Sequence, residues 1–406
     1  MTNNGDSDDL LIKPNELKKK IDREEDIFIL DVRDHEEHKS WKISYDKHHD
    51  SLVIPIDDLS SPRSLEQLPK DKEIVAFCAR GNRSMSAAKM LSKHGYRVKS
   101  VEGGLAGWNT VYDVTLVTDN GSPIDIWQIR RISKGCISYL VASPHNKNAI
   151  VIDATCDADN AISNIITENR LKLTKVVDTH IHADHLSGST RLAKKYGSVI
   201  YLSSLEDYNT ENNIHGLNFQ LISNGDTIKI DEEFILEAIH TPGHTNGSIS
   251  LNLQKKDDKF GQEDDKSIKT NQNNNLYIFV GDTIFINGIG RPDLHNNTEE
   301  FAHQLFNTYN QKILNLPKNT IVLSAHYSDT FEHEKPIYET IKSIKKNIDL
   351  LSVSEVEFVK FVTENIPPRP MNYEKITLIN KQMILCDEIE QKDIESGPNA
   401  CGIMKQ

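Results

Sequence analysis

Four ligand-type side chains fall within six residues at His180, His182, Asp184 and His185, in the run THIHADH. A strand pattern at residues 175–178 leads into this run, and a helical pattern at 187–196 follows it. The cluster therefore lies in a loop at a strand end. Imidazole and carboxylate suit borderline metals such as zinc and iron, and the spacing is not that of a helix-borne HExxH site. Three further pieces follow in order: HTPGHT at 240–245 with His244, GDT at 281–283 with Asp282, and AH at 325–326 with His326. Each ends a strand-like run, and such positions can converge at one edge of a sheet sandwich. His240 flanks the site without binding metal. The scattered His35, His38, His48, His49, His94, His145 and His215 read as ordinary surface or core residues.

The rest of the pattern divides the chain. Strand-like runs at 26–32, 73–77 and 97–101, with a helix at 84–94, predict a parallel α/β block over residues 10–112. Residues 113–124 carry turn residues and read as a linker. Further strands are expected at 126–131, 137–141, 149–153, 198–202, 217–222, 234–239, 248–253 and 277–280, with a helix at 158–169, in a block running over 125–350. The remainder, 351–406, reads as a helical C-terminal extension. Residues 254–275 are charged, amide-rich and almost free of apolar side chains, which reads as a flexible insertion in a hairpin.

The first block has chemistry of its own. CARGNRS at 78–84 joins a strand to a helix. A thiol there faces the helix N-terminal amides, which favour an anion. Arg80 and Arg83 add positive charge, and all of these lower a thiol pKa. Gly81 permits a tight loop whose N–H groups turn inward.

Composition excludes several classes. With 60 acidic and 47 Lys or Arg residues, the formal net charge is −13, which argues against nucleic-acid binding. No run of about 18 apolar residues exists to cross a membrane. The N-terminus lacks the pattern of a secretory signal. Five cysteines far apart in sequence do not read as a disulfide framework and suit a reducing compartment, so a cytoplasmic location is expected.

Residues 10–112 resemble a rhodanese domain through LDVR (30–33), the loop CARGNR with Ser84, and EGGLAGW (102–108). The resemblance implies that Cys78 carries a sulfane sulfur as a persulfide, with Arg83 as a catalytic partner and Arg80 binding substrate. The segment 40–56 departs from the family's usual turn, and Asp31 with Arg33 reads as structural. The ordered histidine set resembles the metallo-β-lactamase superfamily over about 125–340, which implies an αββα sandwich with metal at one edge. The full superfamily set would be His180, His182, His244 and Asp282 for one metal, with Asp184, His185 and His326 for a second.

Within that superfamily, HTPGHTNGS fits both thioester hydrolases of the glyoxalase II type and persulfide dioxygenases. GRPD at 290–293, Cys136 and the tail motifs PPRPMNYEKI and GPNACGI lean to the dioxygenases. The fused sulfur-transfer block leans the same way, because both chemistries share a persulfide and tethering raises effective concentration. The dioxygenase resemblance implies one Fe(II) per chain on His180, His244 and Asp282. His182, Asp184, His185 and His326 would then lie around it, with Asp184 acting in catalysis and Arg291 binding a substrate carboxylate or forming an ion pair. The implied partners are O2 and a low-molecular-weight thiol persulfide, with glutathione persulfide as the candidate, and a homodimer is left open. The alternatives are one or two Zn(II) in a hydroxyacylglutathione hydrolase, or a non-catalytic sulfur carrier. All ligand candidates lie beyond residue 179, so the chain from about residue 120 is expected to act alone.

Overall fold

The alternation of apolar strands and one-sided helices in the first hundred residues builds a five-stranded, all-parallel sheet. Its spatial order is Leu11–Ile12, Val98–Val101, Glu73–Phe77, Ile27–Asp31, Ser51–Val53. The computed structural model describes residues 9–41, 51–119, 121–211, 216–256, 275–294, 297–327, 332–386, 394, 395, 397 and 401–404. Most of the expected 254–275 insertion lies outside these residues, as do His48, His49, His215 and parts of the 40–56 and 397–403 segments.

Helix Asn82–Lys93 packs Ala87, Ala88 and Leu91 onto this sheet. The LDVR motif is structural, as expected. The Arg33 guanidinium grips the Asp31 carboxylate through Nε (3.0 Å) and Nη2 (2.6 Å) and donates to the Glu37 and Trp41 carbonyls. This fixes the short helix His35–Ser40 against the sheet edge.

The second block is a four-layer αββα sandwich. One sheet has seven strands, ordered Tyr112–Leu116, Asp125–Arg131, Ile137–Ala142, Asn148–Ile152, Lys172–Val177, Val199–Ser203, Asn218–Ile222. It is antiparallel through its first four strands and parallel thereafter. The other sheet runs Thr227–Lys229, Phe234–His240, Ile249–Lys255, Asn275–Phe279, Ile321–Leu323, Glu339–Thr340. Helices Asp159–Asn169 and Ser189–Tyr196 cover the first sheet. Helices Thr298–Thr308, Ile341–Asn347 and Glu355–Glu364 cover the second.

Three expectations need correction. Residues 113–116 are not linker: they form the edge strand Tyr112–Leu116. Turn residues crowd only the later part of 113–124, whereas Asp113 and Thr115 are buried polar side chains that periodicity treats as exposed. The tail is helical at Glu355–Glu364 and Tyr373–Lys381, but it ends as strand Gly402–Met404, paired with Gly288–Gly290. The cysteines are not all separate, because Cys156 and Cys386 form a disulfide across 230 residues.

The two blocks share one hydrophobic core. Phe77, Leu105, Trp108 and Val111 from the first pack in the same cluster as Ile132, Tyr139 and Phe279 of the second. A polar joint seals the junction: Asp113 receives Arg130, Lys18 and His333. Burial pushes the Asp113 carboxyl up, but Lys18 and Arg130 outweigh it and hold the group below its ordinary value. Trp41 Nε1 also donates to the Ser133 carbonyl, 3.3 Å away. Among the described residues, no helix is long and apolar enough to cross a membrane.

Candidate functional site

Strand Lys172–Val177 runs into the His180–His185 loop, strand Phe234–His240 runs toward His244, and strand Asn275–Phe279 runs toward Asp282. The three strand ends meet at one edge of the sandwich. His180 Nε2 and His244 Nε2 lie 3.8 and 3.6 Å from the same Asp282 Oδ2. His180 Nε2 and Asp282 Oδ2 are buried and, among the described residues, have no hydrogen-bond partner. Such buried polar atoms are rare and costly unless something joins them. Two imidazole nitrogens and one carboxylate oxygen aimed at a common point fit a divalent metal, with positions left open.

The surrounding groups hold these atoms in place. His244 Nδ1 lies 2.9 Å from the Arg291 carbonyl, so an Nδ1–H donated there leaves Nε2 as the ligating nitrogen. His180 Nδ1 is 2.9 Å from Thr179 Oγ1. Burial, followed by the neighbouring His182, holds His180 well below the usual histidine range, which keeps it neutral and able to ligate. Asp282 Oδ1 meets His326 Nδ1 at 2.5 Å, and His326 Nε2 meets Asp184 Oδ2 at 2.9 Å. Burial disfavours charge on His326, but the Asp282 and Asp184 carboxylates overcome it and hold the imidazolium well above the usual range.

His326 therefore bridges two carboxylates with both nitrogens. Asp184 accepts from His326, from His185 Nδ1 at 3.0 Å and from the Cys136 thiol at 3.3 Å. These bonds make Asp184 a support of His326, and its carboxylate also lies within 4.8 Å of a ligand oxygen of Asp282 in the triad. His182 packs its ring against His180 and His185 but groups its ligating nitrogen with Asp153 and Asp178, its Nε2 lying 3.3 Å from Asp153 Oδ1. Of the two roles expected for Arg291, the structure places it in an ion pair. Its side chain is fully buried, bidentate on Asp293 at 2.7 and 2.8 Å, and bonded to the Pro367 and Pro368 carbonyls. Its contribution to the site is its own carbonyl, on His244.

The C-terminal extension supplies residues that pattern reading missed. Asn380 Nδ2 donates to the His182 and His185 carbonyls, each at 2.9 Å, and its Oδ1 accepts from Ser187 N. Glu395 accepts from Leu186 N at 2.7 Å and pairs with Arg131. Nothing local marks an Asn or a Glu in a helical tail as a support for a loop some 200 positions earlier. Cys401 also comes within 4.8 Å of ligand atoms on Asp184, Asp282 and His326. The tail motif around it was the only signal.

The second constellation is the Cys78 loop, at the end of strand Glu73–Phe77 and the start of helix Asn82–Lys93. The sulfur accepts from Gly81 N at 3.0 Å and Ser84 Oγ at 3.4 Å. Burial opposes thiolate formation, but Ser84 and the Ser84, Arg80 and Gly81 amides outweigh it, so the pKa falls below the ordinary thiol value. Gly104 backs the loop so closely that a Cβ there would sit 2.2 Å from the Cys78 carbonyl. Arg80 is exposed and brings its backbone N–H to the sulfur. Arg83, expected as a catalytic partner, stays within electrostatic reach of Cys78, and its Nη atoms hold Glu37 at 2.7 and 2.6 Å. That ion pair raises Arg83 above its usual range and ties the loop to helix His35–Ser40.

Comparison with known proteins agrees with this geometry. Residues 13–110 match the rhodanese-like domain, and residues 134–258 match the metallo-beta-lactamase superfamily. The chain is 25% identical over 258 residues to a bovine (Bos taurus) mitochondrial persulfide dioxygenase, ETHE1, covering 63% of this chain and 87% of that protein. It is 32% identical over 184 residues to a hydroxyacylglutathione hydrolase of Prochlorococcus marinus, covering 44% and 61%. A Staphylococcus aureus metallo-beta-lactamase structure superposes with a TM-score of 0.54 at 26% identity, covering 65% of this chain and 74% of that one.

Proposed function

From a chain that carries a rhodanese-like domain followed by a metallo-beta-lactamase domain, we propose an enzyme of sulfur metabolism that oxidises a low-molecular-weight thiol persulfide with O2. Sulfite and thiol are released: RSSH + O2 + H2O gives RSH + SO3²⁻ + 2 H⁺. The observation that carries the reading is the His180, His244 and Asp282 triad around one point, joined in the same chain to a cradled thiol. Iron(II) held by these three residues would supply adjacent open positions for O2 and a persulfide sulfur.

The protein's own groups prepare that site. His326 donates to Asp282 Oδ1 and leaves Oδ2 for ligation. Asp184 keeps His326 in place and charged. The Arg291 carbonyl fixes the His244 ring. At the other site, the Cys78 thiolate takes the sulfane sulfur from thiosulfate, releasing sulfite, and holds it as a persulfide. A thiolate RS⁻ then takes that sulfur, forming RSSH and restoring Cys78. Amides of the loop stabilise the anionic sulfur throughout.

Zinc-dependent thioester hydrolysis is the rival. The closeness of Asp184, His185 and His326 favours it, since these residues could hold a second metal. Against it, both His326 nitrogens are engaged by carboxylates. The deciding experiment loads the protein with iron and follows oxygen uptake with glutathione persulfide, alongside metal analysis and lactoylglutathione cleavage. About one iron per chain with persulfide-dependent uptake is expected. Two tightly bound zincs with thioester cleavage and no oxygen uptake would overturn the reading.

For the first domain, Cys78→Ser is expected to abolish thiocyanate formation from thiosulfate and cyanide and to leave bound metal unchanged, because a hydroxyl cannot hold a sulfane sulfur. With the thiol pKa lowered, wild-type transfer should persist below the ordinary thiol range and fall only as pH drops through that lowered value. Wild-type turnover in Cys78→Ser would remove the sulfur-carrier role.

A further inference from the structure

One carboxylate outside the triad touches both histidine-bearing loops. Glu206 follows strand Val199–Ser203. It accepts hydrogen bonds from Thr245 Oγ1 and from the backbone N–H groups of Ile181 and Gly247. Ile181 lies between His180 and His182, and Thr245 is the residue after His244. Gly247 comes so close that a Cβ there would sit 2.5 Å from Glu206 N and 2.7 Å from Glu206 Cγ. Thr245 is itself held by Ser248, whose Oγ accepts from Thr245 N at 3.2 Å and lies 2.6 Å from Thr245 Oγ1. Ile249 N donates to the Thr179 carbonyl at 2.9 Å and closes the same seam from below. Nothing in the sequence around Glu206 marks it as part of a site.

We propose that Glu206 is a positioning residue of the metal centre, a clamp that sets the spacing between His180 and His244. The proposal rests on the metal-centre reading. Its chemistry is specific: burial raises the Glu206 carboxyl to about 7, yet three donors converge on its two oxygens, which accept all of them when the group is a carboxylate. Glutamine has nearly the same shape, but its NH2 group would face an N–H or O–H donor and break at least one of the three bonds. Partners that orient ligands in this way typically change metal affinity by about 10- to 100-fold when removed.

The test uses the full chain and cobalt(II) as the probe, titrated without oxygen and followed by its visible d–d absorption and by calorimetry. E206Q and E206A are expected to weaken cobalt binding by about 10- to 100-fold and to shift the absorption bands. E206Q should leave the melting temperature of the metal-free protein close to wild type. Thr245→Ser keeps the hydroxyl donor and should retain wild-type affinity, whereas Thr245→Val should resemble E206Q. Wild-type affinity and spectrum in both Glu206 variants would overturn the proposal while leaving the metal centre intact. Weakened binding only in step with a lower metal-free melting temperature would overturn it too, in favour of a general structural role. A wild-type chain that binds no cobalt would overturn the metal-centre reading together with this one.

Discussion

Asp282→Ala is expected to empty the metal centre and end persulfide-dependent oxygen uptake. Its Oδ2 is the one atom that both His180 and His244 face, at 3.8 and 3.6 Å. Removing it leaves two imidazoles, too few ligands to hold Fe(II) with open positions. The loss should exceed the 10- to 100-fold typical of outer partners, so iron content after gel filtration should approach zero. His326→Ala probes the next layer. His326 reaches the site only through Asp282 Oδ1 and Asp184, so its loss should weaken iron binding by about 10- to 100-fold and leave a measurable site. Metal analysis and anaerobic Fe(II) titration check both. Wild-type iron in Asp282→Ala would exclude the triad. A second metal lost specifically with His326→Ala would point to a two-metal hydrolase.

Asp113→Ala is expected to destabilise the whole chain by about 3–5 kcal/mol, the usual cost of breaking a buried pair by removing one partner. Asp113 is 1% exposed and Arg130 is fully buried. The substitution strips the carboxylate from a guanidinium that sits between the two domains, and Lys18 loses it as well. The same joint bears on truncation. Starting the chain at about residue 120 removes the edge strand Tyr112–Leu116 together with Asp113. That fragment is expected to be far less stable than one starting at about residue 111, contrary to the independence that ligand positions alone suggest. Urea unfolding of the point variant and thermal melts of the two fragments measure this. A loss of less than about 1 kcal/mol in Asp113→Ala would place it with exposed ion pairs and discard the argument.

Sequence separation explains where the chain was readable from residues alone. The parallel strand Glu73–Phe77 and the helix after Cys78 are dense local signals, and the Cys78 cradle uses amides from within the run CARGNRS at 78–84. Arg33 with Asp31 was legible for the same reason, since the partners stand two positions apart. Arg291 was ambiguous because GRPD names the pair but not the Pro367 and Pro368 carbonyls that take two further donors. The Cys156–Cys386 bridge, Asn380 and Glu395 were illegible, because each acts across roughly 200 residues.

The sequence by itself determined the chemistry: two α/β blocks, a thiol over helix amides, and a set of imidazoles and carboxylates at successive strand ends. These are properties of residue type and short-range order, which periodicity and spacing record directly. Only the tertiary structure decided the roles within that set. It aimed His180, His244 and Asp282 at one point, gave both His326 nitrogens to carboxylates, turned Arg83 to Glu37 and buried Arg291 against Asp293. A side chain can ligate only with an atom that its neighbours leave available, and those neighbours come from distant parts of the chain.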